Sequence, residues 1–197
     1  MSSDKLLLSH MPTKKALAMI EYGSIARGIT ALDVITKTAD VEILSAQIIC
    51  PGKYMILFCG SLGSVNASLE AARNIPAIHD FLLGSPHPDI FPAIKQTIPL
   101  IKKTALGLIE TASGVSAIKA ADTAAKTAFV TLVEIRISHG MCGKSTVLCM
   151  GELAAVAAAL ETAKKEASEA SQLINTALIP NPDDRMITAM TKTSTVC

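Results

Sequence analysis

The chain contains one sequence unit written twice. The run Ala16–Glu21 recurs as Ala105–Glu110 in the second half of the chain. Further matched positions are Asp33 with Asp122, Lys37 with Lys126, Gly60 with Gly151 and Glu70 with Glu161. At about 90 residues the unit is too long for a solenoid module and has the size of a small domain. The repeat therefore predicts two tandem domains of one fold.

The repeat also sets the expected domain boundaries. We predict a leader over residues 1–13, a first domain over 14–103, a second domain over 104–190 and a C-terminal tail over 191–197. The single apolar run in the leader is too short for the core of a secretory signal. We therefore expect a protein that is not exported and remains cytoplasmic.

Hydrophobic periodicity alternates in the same order within each copy. In the first copy a strand-length apolar run, Ala16–Glu21, precedes apolar residues at helical spacing from Ile25 to Ile35. Two β-like runs separated by Pro51-Gly52 then predict a hairpin, followed by a second helix and a last strand. This β-α-β-β-α-β order is that of a ferredoxin-like domain. The predicted class is α+β, with two antiparallel sheets that carry helices on one face.

The composition excludes several functions. Hydrophobic residues make up 50% of the chain and charged residues 18%, which is enough to bury a core. Aromatic residues make up 3% and the net charge is +1, so neither base stacking nor a basic surface for nucleic acid is available. The apolar stretches fall short of the roughly 20 residues that span a bilayer. We expect neither a nucleic-acid partner nor a membrane.

The chain shows no sequence pattern of a catalytic site. Its four histidines are scattered, without an HExxH motif or a P-loop. They are His10, His79, His87 and His139. We predict that the chain is not an enzyme. A small-molecule-binding regulator is an alternative of another class, because a ferredoxin-like fold does not determine function.

Five cysteines occur without the spacing of a disulfide scaffold. Cys59 and Cys149 lie in apolar strand runs and are predicted to pack in the core, whereas Cys197 belongs to a polar tail. Cys50 lies at the tip of the first predicted hairpin. The sequence Cys50-Pro51-Gly52-Lys53 fits a type II turn, with proline second and glycine third.

The repeated features resemble the bacterial microcompartment shell domain. They are Ala-Leu-Gly-Leu-Ile-Glu, Asp-x-x-x-Lys-x-x-x-Val and a Gly-rich hairpin tip, and the resemblance covers roughly residues 14–190. It implies a structural tile of a microcompartment shell in the cytoplasm. It also implies that three tandem chains form a homotrimer that mimics a hexamer and joins other shell proteins.

The same resemblance implies a central pore lined by the two hairpin tips. The implied pore residues are Cys50, Pro51, Gly52, Lys53, Met141, Cys142 and Gly143. The tip Ile49–Lys53 further resembles tandem shell proteins of propanediol-utilisation compartments, whose equivalent cysteine is associated with an iron–sulfur cluster. We therefore expect one [4Fe-4S] cluster per trimer, bound by Cys50 from three chains. It would serve electron transfer or redox exchange across the shell, with an encapsulated or cytosolic redox enzyme as partner.

Three points stay open in the pore. A plain metabolite pore without a cluster is the alternative function. Cys142 is either a second pore thiol or an ordinary loop cysteine, because its hairpin is two residues longer than the first. Lys53 and Lys144 either make the opening electropositive or are solvated loop lysines.

Lys37 and Lys126 have two interpretations. Each follows an aspartate by four residues, which permits an ion pair along one helix face worth about 0.2–0.5 kcal/mol. The resemblance implies instead that these lysines lie at the tile edge and meet their symmetry mates in the neighbouring tile.

Overall fold

A computed structural model describes residues 15–99, 105–137 and 140–193. For residues 191–193 it describes the backbone only. The predicted leader, the boundary between residues 103 and 104, His139 and Cys197 lie outside the described residues. By its contacts the chain divides into two compact units. The first holds the described residues up to Ile48 together with Lys53–Pro86, and the second holds Ile49–Gly52 and the described residues from His87.

The first unit is a four-stranded antiparallel sheet with two helices. Its elements are β1 (Ala16–Tyr22), α1 (Ile25–Thr38), β2 (Glu42–Ile49), β3 (Lys53–Gly60), α2 (Leu62–Arg73) and β4 (His79–Leu83). The strand order is β2-β3-β1-β4, with β1 antiparallel to both of its neighbours.

Alternate residues of β1 place the core of this unit on one face of the sheet. Ala18, Ile20 and Tyr22 pack in one cluster with apolar residues of α1 and α2. The Tyr22 hydroxyl donates a hydrogen bond to the Ala72 carbonyl at 2.9 Å. The one polar atom of this buried side chain therefore has a hydrogen-bond partner in α2. Both helices therefore lie on the same face, as the periodicity predicted.

A glycine in α1, Gly28, permits a close approach of this helix to the sheet. A Cβ atom added at Gly28 would lie 2.6 Å from Cγ of the buried Tyr54 ring. We expect Gly28→Ala to lower the free energy of unfolding by about 1–2 kcal/mol, because overpacking outweighs the gain in helix propensity. Chemical denaturation measures the change. Gly63→Ala, also helical but facing open space, is the control and should be neutral or stabilising.

The second unit repeats this architecture and adds helices at both ends. Its elements are α3 (Ile90–Ile94), β5 (Ala105–Thr111), α4 (Gly114–Thr127), β6 (Val130–Ile137), β7 (Ser145–Gly151), α5 (Leu153–Glu169), β8 (Leu173–Pro180) and α6 (Asp184–Thr193). The strand order β6-β7-β5-β8 is that of the first sheet. The predicted α+β class with two ferredoxin-like sheets is confirmed.

The short helix α3 and the last helix α6 give the second unit boundaries that differ from the predicted domain boundaries. The His87 backbone N–H donates to Asp122 Oδ1 at 2.7 Å, and α3 packs against α4 and β6. Residues from His87 onwards therefore group with the second unit, although we predicted that the first domain continues to residue 103. At the other end, Met186 and Met190 of α6 pack against the sheet, so the predicted start of the tail at residue 191 lies inside a helix.

Among the helices in the described ranges, none is both long and apolar enough to cross a bilayer.

Candidate functional site

The tip of the first hairpin is a tight turn around Pro51. The Gly52 N–H donates to the Ile49 carbonyl at 3.0 Å, and the Cys50–Pro51 peptide bond is cis. A hydrogen-bonded turn with a cis-proline at its third position is type VI. The predicted type II turn over Cys50–Lys53 is therefore wrong, since the hydrogen bond closes one residue earlier. Cys50 is the second residue of the observed turn and its side chain is partly exposed.

The lysine that directly follows the glycine of each hairpin turn forms an ion pair with a glutamate, on β1 in the first unit and on β5 in the second. Lys53 Nζ lies 3.3 Å from Glu21 Oε2, and Lys144 Nζ lies 3.0 Å from Glu110 Oε1. The Glu21 side chain is fully buried, and its Oε1 has no hydrogen-bond partner among the described residues. Each lysine therefore faces a carboxylate, which reduces the positive charge it offers to a pore.

These glutamates were missed as site residues in the sequence. A signal for them was present, because Glu21 and Glu110 end the matched runs of the repeat. The pairing partner was not visible, since Lys53 and Glu21 are 32 residues apart.

The tip of the second hairpin is a different turn. The Lys144 N–H donates to the Met141 carbonyl at 3.0 Å. The two central residues, Cys142 and Gly143, have φ of +51° and +90°, as in a type I′ turn. The side chain of Cys142 is exposed.

The Ile49–Gly52 tip, which belongs to the second unit by its contacts, lies against this turn. A Cβ atom added at Gly143 would lie 3.3 Å from the Cys50 carbonyl oxygen and 3.7 Å from Pro51 Cδ. Glycine thus suits position 143 both for its positive φ and for this close approach. The structure brings Cys50, Pro51, Cys142 and Gly143 into one neighbourhood.

The two strand cysteines are core residues, as predicted. Cys59 is buried and its thiol lies 3.8 Å from Glu42 Oε2. Cys149 is buried beside Gly107, and burial raises the pKa of its thiol to about 11. At neutral pH this thiol stays protonated and is a poor metal ligand. Within the described residues of one chain, no three His, Cys, Asp or Glu side chains gather as a metal site.

The ion pairs that the four-residue spacing permits are present in both repeats. Lys37 Nζ lies 2.7 Å from Asp33 Oδ2, and Lys126 Nζ lies 2.6 Å from Asp122 Oδ2. The surroundings differ, because Asp33 is exposed whereas Asp122 is nearly buried and also accepts from His87. The exposed pair contributes little to fold stability.

The two helices that carry these lysines are buried to different extents. Ile118 of α4 is fully buried, whereas its counterpart in the repeat, Ile29 of α1, is 55% exposed. Other buried residues of α4 with counterparts on α1 that are not buried are Gly114, Val115, Ser116, Ala121, Asp122 and Ala125. One side of α1 is thus uncovered where the matching side of α4 is covered.

The geometry and the repeat agree with a known family. The family model for the BMC domain matches residues 16–85 and 105–182, which together make up most of the chain. The chain belongs to this family of bacterial microcompartment shell proteins.

Individual relatives narrow the class to tandem-domain shell proteins. The chain is 31% identical to the bacterial microcompartment shell protein PduT of Citrobacter freundii over 175 residues, which cover 87% of this chain and 95% of PduT. It is 30% identical to the carboxysome shell protein CsoS1A of Hydrogenovibrio crunogenus over 40% of this chain and 88% of that protein. The match to PduT therefore spans both repeats, and the match to CsoS1A only one repeat's length.

Solved structures show the same architecture. The crystal structure of a microcompartment protein from Desulfitobacterium hafniense DCB superimposes with a TM-score of 0.81 at 42% identity, covering 88% of this chain and 98% of that one. The fused permuted hexameric shell protein MSM0275 from the RMM microcompartment, at 21% identity and a TM-score of 0.60, shares the fold. It covers 79% of this chain and 82% of its own.

This chain is a structural component of a microcompartment shell, built from two BMC domains. Its relatives are shell proteins and not enzymes, which confirms the predicted class and the predicted place in the shell.

Proposed function

We propose that this tile assembles as a homotrimer with pseudo-sixfold symmetry, and that three Cys50 thiolates hold one [4Fe-4S] cluster in its central pore. The observation that supports the cluster is the partly exposed Cys50 thiol on a hydrogen-bonded turn. The observation that supports the trimer is the uncovered side of α1.

The repeat supports the trimer. Two similar domains can form one kind of heterologous contact within and between chains, and such contacts close into a ring when the rotation permits. Ile118 on α4 is fully buried within one chain, and Ile29 on α1 is not. A neighbouring chain in the ring supplies the missing cover for α1. Sedimentation equilibrium should therefore give three times the chain mass of 20.6 kDa, and a monomer at micromolar concentration would contradict the assembly.

The residues of one chain fit the cluster only if chains share it. Iron–sulfur clusters are held by cysteine thiolates, and a threefold axis turns one Cys50 per chain into three ligands. The described part of a single chain gathers no group of three such ligands. Cys50 is held in its turn by the Gly52 hydrogen bond, so little ordering entropy is lost on ligation.

The cluster, when bound, would supply one-electron chemistry at the pore. An encapsulated or cytosolic redox enzyme is the partner this chemistry requires, and other shell proteins surround the trimer in the sheet. Anaerobically reconstituted protein should carry about four irons and four sulfides per three chains and give an electron paramagnetic resonance signal on reduction. Protein that stays free of iron under these conditions would leave a shell tile with a plain metabolite pore.

We further propose that Lys37 and Lys126 contact neighbouring tiles. Phe129, three residues after Lys126, is 100% exposed in one chain, so a neighbouring tile that packs beside Lys126 would also bury this ring. We expect Lys37→Ala and Lys126→Ala to leave the trimer intact and to reduce sheet formation severalfold, measured by electron microscopy of assembled sheets.

The control for this prediction is Lys165→Ala. Lys165 is a helical lysine on α5 that is 79% exposed and lies near an acidic residue four positions away, Glu169. It should tile like the parent. If the Lys37 and Lys126 variants also tile like the parent, these lysines act only in their helix ion pairs.

A further inference from the structure

We propose that Cys142 is a second thiolate ligand of the pore metal centre, at the iron that three Cys50 thiolates leave without a protein ligand. This inference rests on the proposed cluster, because Cys50 alone defines the position of the centre.

The contact between the two hairpin tips places the cysteines near each other. A Cβ atom on Gly143 would lie 3.3 Å from the Cys50 carbonyl oxygen, and Cys142 directly precedes Gly143. Because consecutive Cα atoms lie about 3.8 Å apart, the Cα atoms of Cys50 and Cys142 are within about 11 Å of each other. A cubane cluster commonly has one thiolate on each of its four irons, so two cysteines of one site are separated by several ångströms.

Exposure distinguishes Cys142 from the strand cysteines. Cys142 is exposed and Cys50 partly exposed, whereas Cys59 and Cys149 are buried. The turn closed by the Lys144 N–H and the Met141 carbonyl holds the Cys142 backbone in place. Of the four described cysteines, these two have thiols that a shared metal centre can reach.

Binding of Cys142 to the fourth iron is a ligand exchange without a change of oxidation state. Three Cys50 thiolates occupy three irons, and solvent occupies the fourth. One Cys142 thiol releases its proton to water, its sulfur bonds to the fourth iron, and the bound solvent molecule leaves. One chain of the trimer suffices, so the three Cys142 side chains are equivalent until one binds.

The first test measures proximity without any metal. Dibromobimane becomes fluorescent only when it joins two thiols. Reacted with metal-free protein, it should give a fluorescent single-chain band on a denaturing gel in the parent, and none in Cys142→Ser or Cys50→Ser. Absence of this band in the parent, or fluorescence only in cross-linked dimers, would show that Cys142 does not reach Cys50 of its own chain and would overturn the inference.

The second test measures how firmly the fourth iron is held. Loss of even an outer-shell partner costs about 10–100-fold in metal affinity, so losing a direct ligand should speed iron release at least about tenfold. Under mild oxidation, Cys142→Ser should give the paramagnetic three-iron cluster at least about tenfold faster than the parent. Cys149→Ala, which removes a buried strand thiol, should behave like the parent.

The outcomes separate the two proposals. If Cys142→Ser retains its fourth iron as long as the parent does, the inference fails and the Cys50 cluster stands. If the reconstituted parent binds no iron, the proposed cluster fails, and the ligand role of Cys142 fails with it.

Discussion

Cys50→Ser is expected to abolish iron and sulfide binding while leaving the trimer intact. In the proposed trimer the change removes all three Cys50 thiolates at once, and a serine hydroxyl is a hard, protonated group that does not replace a soft thiolate. Iron should fall from about four per trimer to background. Iron and sulfide analysis of anaerobically reconstituted protein, together with its visible absorbance, measures this loss.

The controls are the two buried cysteines. Cys149→Ala should retain iron, since burial raises the pKa of the Cys149 thiol to about 11 and keeps it protonated at neutral pH. Cys59→Ala should also retain iron, because Cys59 lies in the core. Stoichiometric iron in Cys50→Ser, with the trimer preserved, would place the metal elsewhere.

Ile29→Asp is expected to convert the proposed trimer into folded monomers. Ile29 is 55% exposed in one chain and occupies the position of the fully buried Ile118. If a neighbour covers α1, the new carboxylate is buried without a partner, at a cost of several kcal/mol for each contact. Because each 1.4 kcal/mol changes an equilibrium about tenfold, association should weaken at least about 100-fold per contact. Sedimentation velocity measures the change, and circular dichroism checks the fold.

Leu62→Asp is the matched control. Leu62 is 53% exposed on α2, and its counterpart in the repeat, Leu153, also remains 43% exposed. Both leucines are exposed within the chain, so the two repeats do not differ here in burial as they do at Ile29 and Ile118. The variant should remain a trimer. Trimers of unchanged stability in Ile29→Asp would show that this side of α1 lies outside the assembly contact.

Local features were predictable because their causes are local. Helical spacing from Ile25 to Ile35 and the strand run Ala16–Glu21 determined the element order, and the repeat doubled it. The pairing of Lys37 with Asp33 follows from four-residue spacing on any helix. The burial of Cys149 follows from an apolar strand run.

Several site details were not predictable, because they depend on contacts between distant segments. Whether the hydrogen bond at the first tip closes at Gly52 or at Lys53 is not encoded in the four letters of the turn. The pairing of Lys53 with Glu21 joins residues that only the sheet register brings together. The same holds for the approach of Gly143 to Cys50.

The sequence by itself determined two ferredoxin-like domains and a cysteine at the first hairpin tip, since periodicity, repetition and turn residues are read along the chain. Its repeated motifs carried the resemblance to the shell family. Only the tertiary structure decided that Ile118 is buried where Ile29 is exposed, and that Asp122 is enclosed where Asp33 is exposed. The physical reason is that the burial of a side chain is determined by the residues that pack around it. Two copies of one unit in a single chain have different neighbours, so equal sequence positions acquire unequal surroundings.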